Sequence, residues 1–359
     1  MWLFGGYAWG LSILCHRFGS TTVAKVSGSG ELRQLLVDPW FESETVVIKP
    51  NWVSTEPAGF TDSRTLRMFL EVLDSRVVVT ECLHIGRSMN LLKDGMSFTV
   101  GDKEVNWRWL LKGEGWNWLV ENADWDWFRK GGHWEQIRKE DKAFLDEYGF
   151  SDLFQEFDVE YVNVTEEVWS GRAADSGEVK RLVESRFAPV QVERLYGMVP
   201  KKLFDLRGST FISLARLKNY ASFTLKNLFG LIADPLRPWW HGPKNSRIAR
   251  SIVDVNKVYR ALFNVYGVCE ALNTLAVPNA EGKFEAIYAG RYNIVEDLGL
   301  VAFGRDLVSL DAILLNLNDH LMLQETNRMA LEVAEQEFGA YDRDVLKEAK
   351  MKVGNWIPR

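Results

Sequence analysis

Two lysines eight residues apart, Lys218 and Lys226, each precede an asparagine, Asn219 and Asn227, inside the run RLKNYASFTLKNLFGLI (216–232). The rest of that run is largely apolar, and Gly230 reads as the residue that closes its turn. An ammonium against apolar surface is costly without an anionic partner. A repeated Lys-Asn pair in this setting points to a site that holds negative charge, a phosphate or a carboxylate. The plainer reading is two lysines snorkelling from an amphipathic helix. A second segment, TVVIKPNWVS (45–54), sets Lys49 and Asn51 on either side of Pro50. Its β-branched run, Val46, Val47 and Ile48, suits a strand covered on both faces, and Pro50 ends the ladder. Lys49 and Asn51 then lie at the carboxyl end of a parallel strand, where open α/β sheets bind ligands. The candidate ligand-binding set is Lys49, Asn51, Lys218, Asn219, Lys226 and Asn227, with lysines for charge and amides for orientation.

Two residues are candidates to move a proton. Glu81 follows the apolar run VVVT (77–80), so it reaches the same sheet edge. His241 sits in a loop marked by Pro235, Pro238 and Pro243 within a basic region, where an imidazole can act as acid, base or ligand. His84, shortly after Glu81, is a second imidazole. Asp62 and Asp306 are placed as helix caps. Asp311 lies inside an apolar helical pattern, so it requires a partner: a lysine, a backbone N–H or a metal. One histidine with scattered acids is weak support for a metal, and none is assigned. The chain has no Walker A loop, no G-x-G-x-x-G after a strand, no G-x-S-x-G and no H-E-x-x-H. The cofactor stays unknown and the reaction type open.

These residues require a sheet to carry them. Strands are predicted at Thr21–Val26, Thr45–Lys49, Arg76–Glu81, Val159–Val164, Phe211–Leu214, Phe284–Ala289 and Leu300–Phe303. Helices are predicted over 31–37, 64–73, 144–157 (broken at Gly149), 251–265 and 306–319. The β-α-β-α-β order at the start predicts an α/β fold, a parallel or mixed sheet with helices on both faces. The chain reads as a single large α/β domain over 1–359, with a helical C-terminal cover at 321–359 of one or two helices.

Length and composition are those of a globular protein: 359 residues, 47% hydrophobic and 26% charged. A net charge of −6 argues against a surface built to coat nucleic acid. The charge is uneven. Residues 200–260 hold 12 Lys+Arg and 3 Asp+Glu, a net of +9 that leaves −15 for the remainder. Such asymmetry focuses an anionic ligand on one region, or merely marks solvated helix faces. Three separated cysteines, with no C-x-x-C, exclude an intrinsic four-cysteine cluster and fit a reducing, cytoplasmic location. The apolar start, Met1 to Cys15, has no basic lead and is short of the roughly 20 residues of a membrane span, so it reads as a packed segment.

The stretch 88–142 breaks the α/β rhythm and holds seven tryptophans in a nine-residue repeat, WRWLLKGEG, WNWLVENAD, WDWFRKGGH and then Trp134. Nine residues make two and a half helical turns, so successive units would not stack on one helix face. Extended units would put both rings of each Trp-x-Trp on one side. This Trp-rich insertion is expected outside the central sheet, packed on the parent domain, with homodimerisation the next reading.

Several of these segments together resemble the domain-of-unknown-function 362 family: VVIKPNWVS (46–54), TDSRTLRMFLEVL (61–73), VVVTE (77–81), DEYGFSDLFQEFDVEYVNV (146–164), FISLARLKNYASFTLKNLFGLI (211–232) and LVAFGRDLVSLDAILL (300–315). The resemblance implies the α/β fold but no stated activity. Many relatives carry ferredoxin-like cysteine clusters, which this chain lacks. Relatives usually have Thr-His where Asn219-Tyr220 stands, and an acid near Tyr266. The leading expectation is an intracellular enzyme acting on a small anionic metabolite. The alternative is a non-catalytic binding or scaffold protein that keeps the fold.

Overall fold

The computed structural model describes residues 13–36, 43–93, 97–100, 102–111, 113–121, 133–218, 223–286, 290–317 and 325–358. Its strands in chain order are β1 (Leu14–Phe18), β2 (Thr21–Lys25), β3 (Thr45–Lys49), β4 (Arg76–Glu81), β5 (Ser97–Val100), β6 (Lys103–Asn106), β7 (Glu160–Asn163), β8 (Thr210–Arg216), β9 (Asn264–Ala271), β10 (Thr274–Pro278), β11 (Phe284–Ala286), β12 (Gly290–Glu296) and β13 (Leu300–Gly304). Eight of them form one mixed sheet in the order β1-β2-β13-β9-β8-β3-β4-β7.

The block from β9 to β7 is parallel throughout. Its strands are short runs rich in Val, Ile and Phe, and alternate residues feed two cores. Val47, Val78 and Phe211 face one core, shared with the helices Ile248–Leu262 and Leu307–Leu317. Val46, Ile48, Val77 and Val79 face the other, covered by helix Ser63–Val72 and the pair His133–Glu147 and Phe150–Glu156. This is the two-sided burial that a continuous β-branched run requires. Asp62 caps Ser63–Val72 by accepting from the Thr65 N–H at 2.7 Å, and Asp306 caps Leu307–Leu317 through the Val308 N–H at 3.0 Å. Gly149 takes the left-handed conformation, φ 73°, between its two helices.

The other side of the sheet is antiparallel, which corrects the opening β-α-β reading. β2 does not neighbour β3. It pairs antiparallel with β13 and with β1, through a turn where Gly19 has φ 58°. β9 is also a correction: the predicted helix 251–265 ends at Leu262, and Asn264–Ala271 is a strand between β8 and β13. The strand expected at 284–289 belongs to a separate three-stranded sheet, β10-β12-β11. Two helices close the chain, Glu325–Phe338 and Arg343–Val353, and both contribute to the first core. Residues 1–12 of the apolar start lie outside the described residues. Among those described, no helix is long and apolar enough to cross a membrane.

The described residues of the tryptophan-rich stretch form no part of the eight-stranded sheet. β5 and β6 make their own hairpin, followed by a 3-10 helix, Trp107–Leu111, and an α-helix, Gly113–Glu121. Both described Trp-x-Trp units are therefore helical, against the extended reading. The third unit, with Trp125 and Trp127, lies outside the described residues. The helical form buries one side of each unit: Trp107, Leu110 and Leu119 join Leu83, Ile85 and Leu236 in a core, with Trp109, Trp118, Trp134 and Trp239 at its margin. Gly115 allows the close approach, since a Cβ there would meet the Trp109 carbonyl oxygen at 1.9 Å. Leu83 and Ile85 follow β4 directly, so this core sits beyond the carboxyl ends of the parallel strands.

Candidate functional site

Parallel register aligns the strand ends. Lys49 on β3 stands opposite Ser213 on β8, Glu81 on β4 opposite Asn163 on β7, and Arg216 on β8 opposite Glu270 on β9. Each of these residues is buried. Buried charge must be paired or desolvated at great cost, and the pairing here is orderly. Glu81 Oε1 accepts from Lys49 Nζ at 2.5 Å, and Oε2 accepts from the Cys82 N–H at 2.7 Å. Arg216 Nη1 donates to Glu270 Oε1 at 2.9 Å. Arg87 pairs with Asp141, which also accepts from Asn163 Nδ2 at 3.0 Å.

Around Lys49 a network draws in distant segments. Lys49 Nζ also donates to the Pro50 carbonyl at 2.9 Å and to Asn227 Oδ1 at 3.2 Å. An ammonium has three donors, and all three are used. Asn227 Nδ2 donates to the Lys49 carbonyl (2.9 Å) and Ser213 Oγ (3.2 Å). Asn51 Nδ2 donates to Asn227 Oδ1 at 3.1 Å, and Asn51 Oδ1 accepts from Lys218 Nζ at 2.7 Å. Lys218 Nζ donates as well to the Gly59 carbonyl at 2.7 Å. That carbonyl lies in the loop after β3, which is pinned again where Arg216 Nε donates to the Ala58 carbonyl and Tyr292 OH to the Pro57 carbonyl. Lys49, Asn51, Glu81, Lys218 and Asn227 are each at most 3% exposed, so the network is buried.

Lys226 stands outside that network. It is half-buried, and no ion pair or hydrogen bond of its ammonium occurs among the described residues. Burial pulls it down to about 8. Burial first, then the charges of Arg216 and Lys226, pull Lys218 down to about 7. Burial lowers Lys49 too, with Glu81 opposing. His241 ends a short helix, Pro238–His241, rather than lying in open loop. Its Nδ1 bonds Asn245 Oδ1 at 3.1 Å, and its ring meets Trp116 and Phe229 edge-on at 5.1 and 5.6 Å. Burial, then Lys226, bring it down to about 3, so it is neutral at physiological pH. Among the described residues, neither Glu81 nor a lysine hydrogen-bonds to it.

The structure thus joins Lys49, Asn51, Glu81, Lys218 and Asn227 in one unit and leaves Lys226 and His241 beside each other but unbonded to it. Asn219 and Tyr220 lie outside the described residues. Asp311 meets its requirement through backbone: it accepts from the Thr224 and Leu225 N–H groups and from Thr224 Oγ1. Tyr266 is buried and stacks on Phe303.

Arg237 was not among the sequence candidates. It is 5% exposed, Nη2 donates to Cys82 Sγ, and Nε and Nη1 have no partner among the described residues. Its flanks, Leu236 and Pro238, were the available signal: an arginine between residues that bury. His84 Nδ1 accepts from the Gly86 N–H at 3.0 Å, and burial together with Arg237, Arg87 and Lys49 holds the ring neutral. Burial raises the Cys82 thiol to about 12, so it is no nucleophile. No group of three or more His, Cys, Asp or Glu among the described residues is placed to share a metal.

Compared with protein-family models, residues 46–316 match Domain of unknown function (DUF362). No curated protein and no solved structure matches.

Proposed function

The chain belongs to this family, whose description names no activity, and we propose that it is an intracellular enzyme acting on a small anionic metabolite, phosphate- or carboxylate-bearing, at the carboxyl ends of β3, β4 and β8. The observation that carries the reading is Lys226, a desolvated ammonium with no anionic partner among the described residues, set beside Lys49, whose three donors are all used within the protein. A ligand anion would restore its charge. In this reading Lys226 and Lys218 supply positive charge, and the amides of Asn51 and Asn227 fix Lys218 and Lys49 in place. Glu81 opposes the burial that lowers Lys49. His241, neutral and next to Lys226, is the base at hand. Trp116 of the tryptophan-rich stretch packs against His241, and apolar cover of that kind would strengthen charge interactions beside it.

The test is calorimetric titration of inorganic phosphate and of acetate at pH 6 and at pH 9. Lys226 is protonated below about 8, so binding is expected to be tighter at pH 6 and to take up a proton at pH 9. Lys226→Met should abolish binding, and Lys226→Arg should keep it while flattening its pH dependence. Equal affinity in wild type and Lys226→Met sinks the proposal. One observation favours a second reading, a non-catalytic binding or scaffold protein: Lys49 spends all three of its donors on the protein itself. Failure of wild type to bind either anion would favour it.

A further inference from the structure

Arg237 is a buried cation that cannot escape its charge. A lysine in the same place would shed its proton, but a guanidinium stays protonated. Among the described residues Arg237 forms no ion pair, and two of its three nitrogens lack an acceptor. Its surroundings are connected by contact. Nη2 reaches Cys82 Sγ, and Cys82 donates its N–H to Glu81, the partner of Lys49. The Arg237 carbonyl accepts from the His241 N–H at 3.2 Å, and the His241 ring packs on Phe229, next to Gly230, which abuts Lys49. His84 lies two residues beyond Cys82. With its Nδ1 accepting from Gly86, a neutral ring carries its proton on Nε2 and presents a donor. The surroundings of Cys82 therefore hold the Arg237 guanidinium and two imidazoles, with Asp234, paired to Arg194, and the charges of Arg87 and Lys49 also near.

We infer that the guanidinium of Arg237 anchors a carboxylate, in a subsite bounded by Cys82, His84 and His241. The inference rests on the function proposed above and narrows its substrate to a carboxylic acid. The charge of one guanidinium balances a carboxylate monoanion. Planar guanidinium donors also match a carboxylate's two oxygens in hydrogen-bond geometry.

The experiment uses the full chain and two probes, carboxyl-labelled acetate followed by NMR and inorganic phosphate followed by calorimetry. Arg237→Gln is expected to weaken acetate by about tenfold or more, the size of a lost charge-assisted hydrogen bond. Arg237→Lys keeps the charge but not the fork, and should weaken acetate by a smaller factor. Phosphate affinity should change little in either. If Arg237→Gln fails to fold, Arg237→Lys decides, and unchanged acetate affinity in it overturns the inference. Acetate that binds wild type and Arg237→Gln alike, while Lys226→Met loses it, overturns this subsite and spares the proposed function. Phosphate binding with no acetate binding does the same. Neither anion binding wild type removes both.

Discussion

Gly230 faces the end of the Lys49 side chain: a Cβ at that position would lie 2.6 Å from Lys49 Nζ and 2.8 Å from Cε. The residue belongs to the 3-10 helix Leu228–Leu231 and does not have a positive φ. Its lack of a side chain serves the closeness of Lys49, not a turn. The same Cβ would come within 3.4 Å of Glu81 Oε1. Gly230→Ala is therefore expected to push Lys49 away from Glu81, and overpacking a buried site costs about 1–3 kcal/mol. Urea unfolding measures it. A variant as stable as wild type would show that Lys49 moves aside freely and that the pair is not held by close packing.

The Asp311 carboxylate accepts from the N–H groups of Thr224 and Leu225 at 3.0 and 2.9 Å. It serves as a cap supplied from another helix, for the short helix Thr224–Asn227 that delivers Lys226 and Asn227. Burial raises its pKa to about 7, against the hydrogen bonds that lower it. Asp311→Ala leaves buried donors without acceptors and should cost roughly 2–5 kcal/mol by the usual penalty per group. Asp311→Asn keeps one acceptor oxygen and should cost less. Equal losses in the two variants would mean that the site senses volume and not hydrogen bonding.

Lys218 ties stability to pH with a sign opposite to that of a surface lysine. Its pKa falls from 10.5 to about 7 on folding. Between those values the unfolded chain binds the extra proton, so stability rises with pH across that window. The penalty is fully present below about 7 and gone above 10.5. Comparing wild type with Lys218→Met in urea at pH 6.5 and pH 9.5, wild type should gain on the variant by up to a few kcal/mol. A stability difference that does not change with pH would place the folded pKa near its ordinary value.

Local signals were legible in the sequence and long-range ones were not. The β-branched runs before Lys49 and Glu81 and the cap Asp62 are written in adjacent residues, and all three were read correctly. The strand Asn264–Ala271 was missed because Gly267, Cys269 and Glu270 dilute its β-forming pattern. Pairing with β8 on one side and β13 on the other overrides that. The Trp-x-Trp units alternate like strands yet fold as helices, because burial of Trp107 and Leu119 under Leu83 and Ile85 decides their conformation. The Lys and Asn candidates were visible as residue types. The bond between Asn51 and Asn227, 176 residues apart, was not, and neither was the lack of an acceptor for Arg237 Nε and Nη1 among the described residues.

Trp116 and His241 give the last prediction. Their rings meet edge-on, 5.1 Å between centroids and 80° between planes, with Phe229 on another side of the imidazole. Burial is the largest reason that His241 titrates near 3, with the charge of Lys226 second. These two causes are separable by mutation. Trp116→Ala admits water to one side of the ring and reduces the burial penalty on the charged form, so the pKa should rise toward the ordinary 6.5. Lys226→Met removes only the charge and should raise it less. NMR of the imidazole protons across pH 3 to 8 would follow both, in a chain where the folded state is confirmed at each point. If His241 stays neutral in Trp116→Ala throughout that range, the tryptophan is not what dries the site, and the helix Gly113–Glu121 shields something other than the imidazole.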